Sequence, residues 1–140
     1  MNKPERSAGR KADDARELLQ DFQIGLSRAA LVSQPKNLEA LHILGHALTR
    51  SGRHAEALEI DRQIIELTPD DPSAHYNLAC NYSNLQDLDH ALKTLEQALK
   101  LGYRDLTHML HDRDLRHVRK DPRFRKLLEK KWGKRQSSRP

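Results

Sequence analysis

Apolar residues fall along the chain at helical rather than strand spacing. Leu41, Leu44, Gly45 and Leu48 follow the i, i+3, i+4, i+7 rule of an amphipathic helix, and His75, Leu78, Ala79 and Tyr82 repeat it. A second pair of stripes, Ala57, Ile60, Ile64, Leu67 and Ala91, Leu95, Ala98, Leu101, follows each of the first. The spacing predicts helices near 37–50, 54–67, 72–85 and 88–101. Punctuation agrees with the stripes. Ser51-Gly52 supplies a helix end, Asp71-Pro72 and Asp121-Pro122 each pair an N-cap with a proline at the first helical position, and Asp87 and Asp105 are placed to cap further helices. Small residues at Gly45, Ala57, Ala79 and Ala91 mark where two helices can cross closely.

These stripes recur with a fixed period. Residues 38–71 align on 72–105 without a gap, with Ala40 meeting Ala74, Leu44 meeting Leu78, Ala57 meeting Ala91 and Asp71 meeting Asp105. Pro35 stands one period before Pro69, so the segment before it reads as a long helix ending like the second helix of an incomplete repeat. Two hairpins bury little surface alone, and that helix and the stretch from Leu106 to Trp132 read as caps. In the latter, a closing helix from about 122 to 132 should turn Phe124, Leu127 and Leu128 inward.

The spacing of Leu44, Gly45, Leu48, Ala57 and Pro69, and of Leu78, Ala79, Tyr82 and Ala91 one period later, resembles the tetratricopeptide repeat (TPR) family, as found in small bacterial TPR proteins. Leu41 and His75 replace the usual aromatic residue, and Asp61 occupies a normally bulky apolar site. The resemblance implies an all-α fold, a short right-handed α-solenoid with a capping helix at each end. It divides the chain into a disordered N-terminus (1–11), an N-terminal helix (12–34), repeats over 37–70 and 71–104, capping helices (105–132) and a disordered basic tail (133–140).

The resemblance also implies function. TPR proteins hold peptides or protein partners in the concave face lined by the first helix of each repeat. The groove positions would be Glu39, His42, His46 and Thr49 from one repeat, Ser73, Tyr76, Asn77, Cys80 and Ser83 from the next, and His111 beyond them. Asn77 alone matches the carboxylate clamp with which some TPR proteins grip chaperone tails, so no such clamp is expected. Protonated His42 and His46 would favour an acidic ligand below a pH of about 6.5. The same pair, one helical turn apart, could join Cys80 or His111 around a metal, but with eight histidines in the chain and no HExxH, CxxC or carboxylate cluster, no metal is expected.

Composition and charge narrow the choice further. Charged residues make up 32% of the 140 and aromatics 4%, a balance suited to interlocking helices. Cys80, the single cysteine, rules out an internal disulfide, and no apolar run reaches the roughly 18 residues needed to cross a bilayer. A cytoplasmic protein without membrane contact is expected. Residues 113–135 hold eleven Lys or Arg against three Asp or Glu, which makes Arg119, Lys120, Arg123, Lys126, Lys130 and Lys131 candidate polyanion contacts. Base-stacking aromatics are nearly absent there, so nucleic-acid binding ranks behind a solvated cap. No phosphate loop or nucleophile motif points to an enzyme, and no cofactor is expected. The expected partner is a protein or peptide, with self-association through a terminal helix left open.

Overall fold

The computed structural model describes residues 3–133, and among them the ordered elements are helical. The chain runs α1 (Lys3–Ser33), α2 (Leu38–Arg50), α3 (His54–Leu67), α4 (Pro72–Asn84), α5 (Leu88–Lys100), α6 (Leu106–His111), a 3₁₀ turn (Arg113–Leu115), α7 (Arg116–Arg119), α8 (Pro122–Leu128) and a π turn (Glu129–Gly133). The described residues fall into two compact units, which divide between Ile60 and Asp61.

Each expected cap is made. Asp71 accepts the backbone N–H of Ser73, Asp87 that of His90, Asp105 that of His108 and Asp121 that of Arg123. Asn37, not singled out from sequence, caps α2 by accepting the N–H of Ala40. The first helix differs from expectation: it starts at Lys3, so residues 3–11, expected to be disordered, are helical. Pro4 sits in the first turn, where a missing N–H costs nothing, and beyond it only Ser7 and Gly9 interrupt good helix formers. The tail expected to be disordered lies, from residue 134 on, outside the described residues. The closing helix ends earlier than expected, at Leu128, with Phe124 buried and Leu127 and Leu128 half-buried.

In the first unit α1 packs on α2, with Ile24 of α1 joining Leu44, Ala47, Leu48 and Ala57 in one core. Ala57 and Leu48 are fully buried, as expected of a crossing point. In the second unit α4 and α5 form a hairpin whose inner residues Ala79, Ala91, Leu95 and Ala98 are also fully buried. Met109, Leu115 and Val118 from the C-terminal elements close this core, and the 3₁₀ turn, α7 and α8 pack on the hairpin.

The hairpin turns repeat with the sequence period. After α2, Arg53 N–H donates to Leu48 and Gly52 N–H to Thr49; after α4, Asp87 N–H donates to Tyr82 and Gln86 N–H to Ser83. Both arrangements need a left-handed residue, which is Gly52 in the first (φ 77°) and Gln86, one period later, in the second (φ 60°). A side chain in that region costs about 1 kcal/mol or more.

Asp61 explains its own departure from the repeat pattern. Its side chain is buried and accepts a 2.6 Å hydrogen bond from Nδ2 of Asn81, whose side chain is buried as well. Burial is the dominant influence and pushes the Asp61 carboxyl up to about 7, against the lowering effect of Asn81.

Both the second turn and the buried carboxyl can be tested by stability. Gln86→Gly should stabilise the chain by about 0.5–1 kcal/mol, read as a shift in the denaturation midpoint, because glycine adopts the same φ without the side-chain penalty. The native state holds a proton on Asp61 that the unfolded chain releases between about pH 4 and pH 7, so unfolding free energy should fall as pH rises through that window, by at most about 4 kcal/mol. Asp61→Asn should flatten this slope in a pH series of thermal melts.

Candidate functional site

Helix α2 places the first set of groove candidates. Its buried side carries Ala40, Leu41, Leu44, Gly45, Ala47 and Leu48, which leaves Glu39 and His46 exposed and His42 and Thr49 half-buried. The Thr49 hydroxyl turns back to donate to the carbonyl of Gly45 at 2.9 Å. Ile43, between Glu39 and His46 on the exposed side and absent from the sequence-based set, keeps 43% of its surface open. The hydrophobic stripe does not need it, since a helix of this amphipathicity has no buried role for that position.

Beside this face the α1–α2 junction opens into a trough of about 520 Å³. Its walls include Leu19, Phe22 and Leu26 from α1 and Glu39, Ala40 and Ile43 from α2. Most of these side chains are apolar, and Glu39 adds a carboxylate among them. Partial desolvation, then the charges of Arg50 and His42, hold His46 below the ordinary imidazole range. The pH switch expected near 6.5 therefore moves to more acidic pH for His46.

The second set of candidates meets a different fate. Tyr76, Cys80 and Ser83 are buried, Asn77 is half-buried and Ser73 is exposed at the start of the helix. Asp112, the N-cap of the 3₁₀ turn, lies over α4 and gathers two of the buried ones, Tyr76 and Cys80. Its Oδ2 accepts from the Tyr76 hydroxyl at 2.7 Å, lies 3.8 Å from the Cys80 thiol and 3.1 Å from Nε2 of His108. Its Oδ1 accepts from the Asp114 N–H at 2.9 Å. Ser83 accepts the backbone N–H of Val118 at 3.2 Å, and Asn84 donates to Asp114 at 3.1 Å. Tyr103 stacks on Tyr76 with ring centroids 4.2 Å apart.

The face of α4 expected from sequence to be an open groove is thus occupied, at Tyr76, Cys80 and Ser83, by the chain's own C-terminal cap. Burial, then the neighbouring Cys80 and Asp112, push the Tyr76 hydroxyl well up; burial and then Asp112 and Asp114 do the same to the Cys80 thiol. Tyr103 is pushed up to about 12, chiefly by burial. A thiol in this setting is a poor nucleophile. Asp112 was missed because the sequence "DRDL" reads as a turn; its acceptor role depends on the fold bringing residues 36 and 32 positions earlier beneath it.

Cys80, Asp112 and Asp114 are, among the described residues, the group whose donor atoms come close enough for a metal, within 4.8 Å of one another. Their oxygens already accept from Tyr76, Asn84 and the Asp114 N–H, so internal hydrogen bonds account for the cluster. His111, the last groove candidate, is exposed and directs Nδ1 to the carbonyl of Thr107 at 2.8 Å.

The basic candidates are mostly tied to the chain itself. Arg119 donates to the carbonyls of Met109 and Asp112, Arg123 to Asp121 and Asp89, and Lys131 to the carbonyl of Leu99; Lys130 lies 3.8 Å from Glu96. Hydrogen bonds to Asp121 and then Asp89 hold the Arg123 guanidinium firmly charged. Lys120 and Lys126 are exposed on the surface. No helix among the described residues is long and apolar enough to cross a membrane.

Comparison with known proteins fits this architecture. A chloroplastic protein of Arabidopsis thaliana is 39% identical over 88 residues, which cover 61% of this chain and 26% of that protein. The chain therefore spans about a quarter of that relative's length. The solved structure titled MamA 41-end from Desulfovibrio magneticus RS-1 superposes with a TM-score of 0.60 at 19% identity, covering 79% of this chain and 67% of that one. The family model described as "Anaphase-promoting complex, cyclosome, subunit 3" matches residues 14–98, the stretch that holds both helical hairpins and most of α1. With this family match and the 34-residue hairpin pattern, the chain belongs to that family of tetratricopeptide-repeat proteins.

Proposed function

We propose that the chain is a non-catalytic interaction scaffold that holds a peptide segment of a protein partner on the outward face of α2, with the trough against α1 receiving the segment's apolar side chains. The observation that carries this reading is the contrast within α2: its leucines are buried, while Glu39, Ile43 and His46 stand open beside an apolar trough. Polar positions that orient a ligand next to an apolar floor that holds it are the usual make-up of a peptide site. A helix packed on α1 holds these side chains in place before the ligand arrives, so the ligand alone loses conformational freedom.

Ser73 and Asn77, which the cap does not bury on α4, are a smaller candidate surface within the second unit. The name of the matching family, a subunit of a multi-protein complex, supports a protein partner in general. Placement in the cytoplasm is our reading of the sequence, beside a relative whose name assigns it to the chloroplast. Polyanion binding through the C-terminal cations ranks second, because Arg119, Arg123, Lys130 and Lys131 already have acidic or carbonyl partners.

The test is affinity capture from a native extract on columns carrying the wild-type chain and the Ile43→Asp, His46→Glu double variant. Both substitutions fall on open positions, so far-ultraviolet circular dichroism should be unchanged. Proteins retained by the wild type should drop about tenfold or more on the variant. Equal retention on both columns would reject the α2 face as the binding surface.

A further inference from the structure

Helix α1 is apolar on two opposite sides. One side, through Ile24 and the half-buried Leu31, packs into the core of the first unit. The other carries Ala15, Leu18, Phe22, Gly25, Ala29 and Val32, all exposed, at alternating spacings of three and four. That alternation is the seam of a two-stranded coiled coil. Leu18 keeps 72% of its surface open, Phe22 65% and Val32 83%. This seam lies off the outward face of α2 and goes beyond the peptide-binding reading, although Phe22, and Leu19 and Leu26 on its flank, are also walls of the trough.

Gly25 gives the seam its meaning. A glycine inside a helix costs about 1 kcal/mol relative to alanine, and nothing around it requires one here: a Cβ at this position would meet no atom within 4 Å. A gap that internal packing does not need suits a bulky side chain arriving from outside.

We infer that the seam pairs with the same seam of a second copy, the two α1 helices lying antiparallel. The sequence of the seam is complementary to itself only in that direction. With Phe22 seated over Gly25 of a second copy, Leu18 falls opposite Ala29 and Val32 opposite Ala15, so each large side chain meets a small one, and the two-fold axis repeats every contact. On one flank Leu19 meets Leu26 across the axis. On the other, Asp21 meets Arg28, which already reaches Glu56 at 2.7 Å within its own chain. A parallel pair would set Phe22 against Phe22 and Gly25 against Gly25, leaving a void beside a clash, and would face Asp21 with Leu26.

Sedimentation equilibrium of the full chain across a range of micromolar concentrations tests the pairing. A monomer–dimer equilibrium is expected for the wild type. Leu18→Glu, an exposed position outside the trough, should raise the dimer dissociation constant about tenfold or more with helicity retained. Gly25→Leu should strengthen the isolated helix yet weaken the dimer about tenfold, and Phe22→Ala with Gly25→Leu should recover most of that loss, because the bulk then returns from the opposite strand. A chain that stays monomeric at every concentration, or a dimer indifferent to Leu18→Glu, overturns the inference. A dimer tightened by Gly25→Leu overturns the antiparallel register. Leu18 and Gly25 lie outside the α2 face and the trough, so self-association is read separately from partner capture, even though pairing through Phe22, Leu19 and Leu26 would cover walls of the trough.

Discussion

The architecture depends on close approach between helices. Ala57 in the first unit and Ala79, Ala91 and Ala98 in the second are fully buried, and at those positions any larger side chain would hold the backbones apart. Once the crossing points are fixed, the leucines around them have a single set of pockets, as Leu48 and Leu95 show by losing all their exposure. Everything outward-facing on α2 and α4 is then left without a structural duty inside its own hairpin. What happens to those outward residues decides what the chain can bind.

The two hairpins use that freedom differently. On α4 the outward side chains Tyr76, Cys80 and Ser83 become the floor on which the C-terminal cap sits, through Asp112, Tyr103 and Val118. The cap thereby protects a core in which Met109, Leu115 and Val118 are fully buried. On α2, Glu39, Ile43 and His46 stay exposed among the described residues. One repeat with a protected face and another with a free one is what short repeat arrays need, since solubility demands a cap and recognition demands an opening.

The fold was legible because it rests on local signals. A 34-residue period, caps at Asp71, Asp87, Asp105 and Asp121, and alanines at crossing points each act over a few neighbouring residues, and each is found where the pattern puts it. The fate of the α4 face was not legible, because periodicity says which way a side chain points and not what comes to lie over it. Asp112 bonds a tyrosine 36 positions earlier, and no spacing rule announces that contact. The helical start of α1 at Lys3 was hidden for a related reason: its charged residues look like a solvated tail, yet each is a good helix former, and the helix continues into a segment that packs on α2. Asp61, legible as a departure, gained its explanation only from Asn81 beside it.

The seating of the cap on α4 covers Tyr76, Cys80 and Ser83 there, while Glu39, Ile43 and His46 on α2 stay open. The amide of Val118 reports this directly, because it stands in the first turn of α7, where no intrahelical carbonyl is available to it, and its acceptor is the Ser83 hydroxyl of α4. Residue-resolved hydrogen exchange should find it protected to about the same degree as the Leu95 amide at the centre of the α4–α5 hairpin. Exchange of Val118 at the rate of an open chain, with Leu95 still protected, would mean the cap leaves α4 bare and would contradict the account.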